Sequence, residues 1–349
     1  WPWRPIIDEM ARLVDEHLGS DDGIVVIGES GVRRWGGKSV GIARQYLGSV
    51  GKVENGQVGV YLTYASEHGQ AFLDTRLFIR QEWFDDPERC RAAGIPEDVV
   101  FRNKPELAAA MVEQARFRGI RARWLTADEA YGDNPRFLDV VDAVGWWYVT
   151  EVKTNLEVWP IRPKLLPPSP RGAMGRPRKK ARLARKSDKS VPVAKLAARL
   201  GKRDWQRLTV AQGAKGRRVF DFAFLRVVAK CAGLPGQDVW LMVRRSLDQT
   251  PELKYYLSNA PAEVDTERMA VVGSERWRAQ SAIKEAKGQT GLDQSEGRNW
   301  KHWHHHTTLS MLAHALLTCA RITWPKTHSP PLGTANAEAR RSGEKATAA

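Results

Sequence analysis

Cysteine is scarce in this chain: three in 349 residues, Cys90, Cys231 and Cys319. They are scattered and odd in number, which gives neither a disulfide framework nor a CxxC metal pair and fits a reducing cytosol. No apolar run reaches the roughly 18 residues of a membrane span, and no secretory signal opens the chain. Acidic charge is in deficit, with 40 Asp and Glu against 55 Lys and Arg, a formal net charge of +15. That excess points to a polyanionic partner, with nucleic acid as the default and a solvated basic surface as the plainer alternative. No RNA-module motif with aromatic platforms is present, which weighs against a basic RNA-binding or scaffold protein.

What is there divides into short elements. Residues 23–31, "GIVVIGESG", are a β-branched run bounded by glycines, the pattern of a buried strand. "GQVGVYLTYAS" (56–66) and "AFLDTRLFI" (71–79) predict two more strands, the second alternating as a half-exposed one would. "PELAAAMVEQARFR" (105–118) predicts a helix with Pro in its first turn. In "RARWLTADEAYGDN" (121–134) a rising apolar run ends on Asp128, as a strand does when it delivers a carboxylate to its C-terminal edge. A helix over 134–145 and a strand over 146–152 follow. The alternation is that of a mixed α/β sheet.

Residues 161–204 are rich in Pro, Arg and Lys without a hydrophobic period, and predict a mobile basic linker that suits a nucleic-acid-contacting arm. Four apolar runs between 206 and 258 predict a β-rich insertion. The chain is expected to be helical over 266–288 and over 300–322, followed by a disordered tail.

Four stretches together are specific. "GGKSVGIARQYLGSVGKVENGQVGVYLTYASEHGQAF", "EWFDDPERCRAAGIPEDVVFRNKPELA", "ADEAYGDNPRF" and "GLDQSEGRNWKHWHHHTTLSMLAHALL" resemble the insertion-sequence transposases of the DDE superfamily, in family order between residues 24 and 320. The resemblance implies an RNase H-like α/β mixed sheet with flanking helices and a β-rich insertion before the last catalytic helix. It divides the chain into 1–158, the first part of the core; 159–205, the basic linker; 206–265, the insertion; 266–323, the helices completing the core; and 324–349, the tail. The chain opens on Trp1 rather than Met, close to the first catalytic strand, so an N-terminal region is expected to precede it.

Such transposases hold two Mg²⁺ or Mn²⁺ ions on three carboxylates. Two ions stabilise both the attacking and the leaving oxygen of an in-line displacement, and these hard cations demand oxygen ligands. The implied activity is cleavage at element ends and transfer of a 3′-hydroxyl into target DNA. The implied partner is double-stranded DNA, bound by a homo-oligomer, with no membrane, in a bacterial cytoplasm at the nucleoid.

By resemblance, Asp128 in Ala-Asp-Glu-Ala-Tyr-Gly matches the second carboxylate and is the expected metal ligand. The first position falls in "VVIGESG", where Gly28 stands in place of Asp, followed by Glu29, Ser30 and Gly31. The third falls in an Arg-x₃-Glu-x₆-Lys signature, where Arg276 and Lys287 are present but Gln280 replaces Glu. Two of the three ligands are therefore substituted, which predicts a catalytically impaired transposase, a pseudoenzyme. The alternative is a non-catalytic DNA-binding protein derived from a transposase, such as a competitor of an active relative.

Glu29 is a candidate replacement ligand only if its strand ends or bulges, because neighbouring strand residues face opposite ways. Gln280 offers a neutral oxygen, weaker than a carboxylate. Glu275 and Glu285 lie about 140° around the helix from Gln280 and cannot replace it. Asp133 precedes a helix and suits a cap. Arg276, Gln280, Lys284 and Lys287 share one helix face, and Arg276, Lys284 and Lys287 are the candidate DNA-phosphate contacts. In "HWHHH", His302 and His306 stand at i, i+4, a spacing two zinc ligands can use, but no third ligand accompanies them. Trp300 and Trp303 read as core rather than as base-stacking residues.

Overall fold

The computed structural model describes residues 1–168, 179–185, 187–213 and 216–324. It opens on a helix not among the expected elements, α1 (Arg4–Leu18), with Pro5 in its first turn. Its buried residues, Ile7, Met10, Ala11, Val14 and Leu18, recur at helical spacing and form one apolar stripe. Strands β1 (Ile24–Arg33), β2 (Ala43–Leu47), β3 (Lys52–Ser66) and β4 (Gly69–Phe78) follow as an antiparallel set around β3. One edge of β3 carries β1; the other carries β2 beside its first residues and β4 beside the rest.

Two short helices, α2 (Gln81–Phe84) and α3 (Pro87–Ala92), lead to α4 (Lys104–Phe117). A reciprocal capping box of Asn103 and Glu106 starts α4 by satisfying backbone donors that a first helical turn leaves open. Then come β5 (Trp124–Ala127), α5 (Glu129–Gly132), α6 (Pro135–Ala143) and β6 (Trp147–Val152). β1, β5 and β6 are parallel, with Ile24 opposite Trp124 and Trp124 opposite Trp147. The core order β4-β3-β1-β5-β6, antiparallel at β3, is the RNase H-like arrangement.

The segment expected as a linker is in part built into this sheet. β7 (Glu157–Trp159) buries Val158 and Trp159 and pairs with β10 (Val191–Pro192), while β8 (Leu165–Leu166) and β9 (Arg182–Leu183) form a small ladder of their own. Helix α7 (Val193–Ala197) buries Val193, Leu196 and Ala197. Too few apolar residues fall in a row to show a period; partners distant in sequence complete their burial. Residues 169–178 and 186 of that stretch, and the expected tail from 325 onward, lie outside the described residues.

The β-rich stretch forms β11 (Gln206–Gly213), β12 (Gly216–Cys231), β13 (Leu234–Arg245) and β14 (Leu253–Ser258). β14 pairs antiparallel with β6, Tyr256 opposite Glu151, so these strands prolong the core sheet rather than standing apart from it. The chain ends in α8 (Thr266–Ser274), α9 (Trp277–Thr290) and α10 (Trp300–Thr323).

The helical stretch expected over 266–288 is thus two helices, separated at Glu275–Arg276, where Glu275 N–H and Arg278 N–H donate to carbonyls three residues back. Local periodicity does not reveal this break, because it is set by docking: Gly273 presses α8 onto Met242 and Val149, while α9 turns toward β1. No helix among the described residues is long and apolar enough to cross a membrane.

Candidate active site

The site begins with the two faces of β1. Ile24 and Val26 pack with Met269, Ala270 and Val272 of α8 and Ala279 of α9, while Val25 and Ile27 join the cluster containing Ala108, Met111 and Val112 of α4. Position 28 continues the first face. A Cβ there would lie 2.9 Å from the Cβ of Ala279 and 3.3 Å from Cδ1 of Ile283, so α9 docks closer to β1 than any side chain at 28 permits. Glu29 continues the second face. Its strand neither ends nor bulges: β1 stays in unbroken register with β3 from Ile24 to Arg33. Parallel pairing with β5 stops at Val26–Thr126, however, and leaves the other edge of β1 open beyond that point. A cleft of about 680 Å³ occupies this opening, lined by Gly28, Glu29, Asp128, Glu151, Arg276 and Gln280 together with Lys104, Lys254 and Tyr46.

Asp128 sits where β5 ends and caps α5, accepting a hydrogen bond from Ala130 N–H at 3.0 Å. Burial pushes its carboxyl pKa up; Arg276 opposes that shift, and the Glu29 and Glu151 charges reinforce it. The folded state therefore favours the protonated form, and stability falls as pH rises from the ordinary carboxyl range through the raised value. Asp128→Asn keeps a capping oxygen and removes the charge. It is expected to stabilise the fold at pH 7, with the gain shrinking as pH approaches 3.8, the unperturbed value. Urea unfolding across that range measures it, and a loss of stability at pH 7 would contradict the assignment.

Three other carboxylates line the cleft: Glu129 is exposed and has no ion pair among the described residues, while Glu29 and Glu151 are engaged. Glu29 accepts from the Tyr131 hydroxyl at 2.7 Å and forms an ion pair with Lys104. Glu151 pairs with Lys254 at 2.9 Å and Arg276 at 2.5 Å. Sequence reasoning missed Glu151, Lys104, Lys254 and Tyr131. The one available signal was Glu151 itself, a charge inside the otherwise apolar strand "WWYVTEV".

The family model described as "DDE superfamily endonuclease" matches residues 1–217. The chain belongs to the DDE superfamily of endonucleases. It is 31% identical over 133 residues to the probable transposase for insertion sequence element IS701 of Microchaete diplosiphon. That match covers 38% of this chain and 32% of the relative, so the chain spans about a third of that relative's length. Among solved structures it is similar to a piggyBac transposase synaptic complex with hairpin DNA, at a TM-score of 0.40 and 9% identity, covering 86% of this chain and 47% of that one.

DDE enzymes generally use divalent metal ions, and the donors in this cleft can be weighed against that need. Position 28 offers no side chain, Gln280 offers only a neutral amide, and Glu29 and Glu151 already face ammonium and guanidinium groups. No group of three His, Cys, Asp or Glu among the described residues is placed to hold a metal ion. The residues present do not fit a two-metal centre.

The remaining candidates in this DDE chain disperse. Of the expected DNA-contacting face, Arg276 lies in the cleft against Glu151, Lys284 is exposed outside it, and Lys287 is half-buried with Asp293 at 3.9 Å. Glu275 is buried against Arg278, Glu285 accepts from Gln70 and Ser281, and Asp133 accepts from Lys153 N–H. The histidine run anchors the N-terminal segment: His305 stacks on Trp1, His304 stacks on Trp3, and His306 meets the Gly291 carbonyl at 2.8 Å. Trp303 is buried and Trp300 packs partly buried in the same cluster.

Proposed function

We propose that this chain acts on double-stranded DNA as the core of an insertion-sequence transposase, in a form whose metal-dependent cleavage and strand transfer are impaired. Membership of the DDE superfamily supports the transposase part. One observation carries the impairment: of the four carboxylates lining the cleft, Glu29 and Glu151 are tied in ion pairs, and only Asp128 and its exposed neighbour Glu129 have none among the described residues. The protein's own cations thus neutralise two of the four carboxylates on which a pair of divalent ions would draw. The setting such a core suits is the bacterial nucleoid, as a homo-oligomer on element ends.

A second reading, a DNA-binding protein without catalysis, is favoured by the same fixed cations and by the exposed Lys284. Phosphate contacts from such groups give sequence-independent affinity that falls with salt. The test is a nicking assay on supercoiled DNA with Mg²⁺ or Mn²⁺, beside a salt-titrated binding assay. The expected outcome is metal-independent, salt-sensitive binding with no nicking, unchanged in Asp128→Ala. Nicking by the unmodified chain that Asp128→Ala abolishes would sink the impairment.

A further inference from the structure

Away from the cleft, between α1, β4, the loop before α4 and the start of α10, lies a second cavity of about 220 Å³. Arg4, Arg76 and Arg102 line it together with Asp98, Trp300 and His304. The indole N–H of Trp300 and Nε2 of His304 are both buried and have no hydrogen-bond partner among the described residues. His304 is only 2% exposed. An indole nitrogen can only donate, so the missing counterpart is an acceptor.

Charge points the same way. Asp74, wholly buried, is shared by Arg4 at 3.3 Å, Arg118 at 3.2 Å and Arg76. Asp8 serves Arg118 from the outside at 2.6 Å, so two carboxylates face three guanidiniums. Arg102 adds another cation at the cavity mouth; it is exposed and has no ion pair among the described residues, while Asp98 supplies one opposing charge. Burial first, and then the neighbouring Arg76, hold the Arg4 pKa below its usual value, with Asp74 opposing them.

We propose that this cavity is a binding site for a phosphate group in its monoester or free dianionic form. Its donors come from four separate elements, which suits a tetrahedral ion with acceptors in several directions better than one planar carboxylate. Leu77, Ile79 and Phe84 supply an apolar wall that limits screening of the attraction. The site is independent of the metal question in the cleft. Its ligand is either free orthophosphate or the terminal phosphate of a nucleic-acid strand.

The test is calorimetric titration of inorganic phosphate into the whole chain at about 0.15 M salt, where exposed charges are well screened. Trp300→Phe keeps a ring and drops the donor; Arg102→Ala removes an exposed cation and spares the fold. One phosphate per chain is expected, bound roughly tenfold more weakly in each variant, as loss of one charge-assisted hydrogen bond implies. Displacement by a 5′-phosphorylated oligonucleotide but not by its 5′-hydroxyl twin supports the site and assigns a strand end. Displacement by neither supports it and assigns the free ion. The absence of saturable phosphate binding, variants that bind as the parent does, or equal displacement by both oligonucleotides would overturn the proposal.

Discussion

Asp74→Ala is expected to destabilise the protein by about 3–5 kcal/mol, the usual consequence of breaking a buried ion pair by removing one partner. Asp74 is wholly buried on β4, and its carboxylate is the common acceptor for Arg4, Arg76, Arg118 and the backbone N–H of Thr75. Burial alone would raise its pKa; the three guanidiniums outweigh that and hold it below the usual carboxylate value. The stability it contributes is present above pH 3.8 and is lost as pH falls through the depressed folded value. Removing the carboxylate strands three cations between α1, β4 and α4. Arg4 is partly exposed and can turn to water, but Arg118 and Arg76 are largely enclosed. Asp74→Asn keeps the volume and loses the charge, and should lose most of the same stability. Urea midpoints at pH 7 measure both, and a loss under about 1 kcal/mol in each would mean that the cluster relaxes to solvent.

Gly28→Asp, introduced alone, is expected to cost about 1–3 kcal/mol, the range for overpacking a close interface. Its Cβ would stand 2.9 Å from the Cβ of Ala279, closer than such atoms approach without movement of α9. Ala279→Gly opens that space at about 1 kcal/mol for glycine inside a helix. The pair should therefore couple: the double variant is more stable than the two single losses added together. Strict additivity in a double-mutant cycle would show that α9 does not rest on β1 as described. The coupling also bears on the cleft, because restoring a carboxylate at 28 means remaking the helix contact that glycine permits.

Much of the architecture was legible because it is written locally. The β-branched run at 23–31 and the proline in the first turn of α4 each reflect forces acting within a few residues; the half-exposed alternation expected at 71–79 did not hold, because β4 is buried on both faces from Gln70 to Thr75. Positions 28, 128 and 280, far apart in sequence, line one cleft. The amphipathic stripe of α1 is local as well, with Ile7, Met10, Ala11, Val14 and Leu18 at helical spacing. Other features were not local. The break at Glu275–Arg276 comes from docking two half-helices onto different strands, and β7 owes its burial to β12 and β10. Glu151 and Lys254 share a cleft with Asp128 and Arg276 only because β6 lies parallel to β5 and β14 adds beside β6, and Lys104 reaches Glu29 there from the start of α4, which packs on β3 and β4. No spacing motif joins those residues, so the cations that occupy the cleft's carboxylates became visible only in three dimensions.

Mn²⁺ titration by calorimetry tests the central claim most directly, on the unmodified chain and on Gly28→Asp/Ala279→Gly/Gln280→Glu. The expected result is no saturable binding by the unmodified chain and two ions bound by the triple variant, once carboxylates stand again at 28 and 280. Two ions bound by the unmodified chain would contradict the account: Glu29 or Glu151 would then leave its lysine for the metal, and the cleft would be a working two-metal centre.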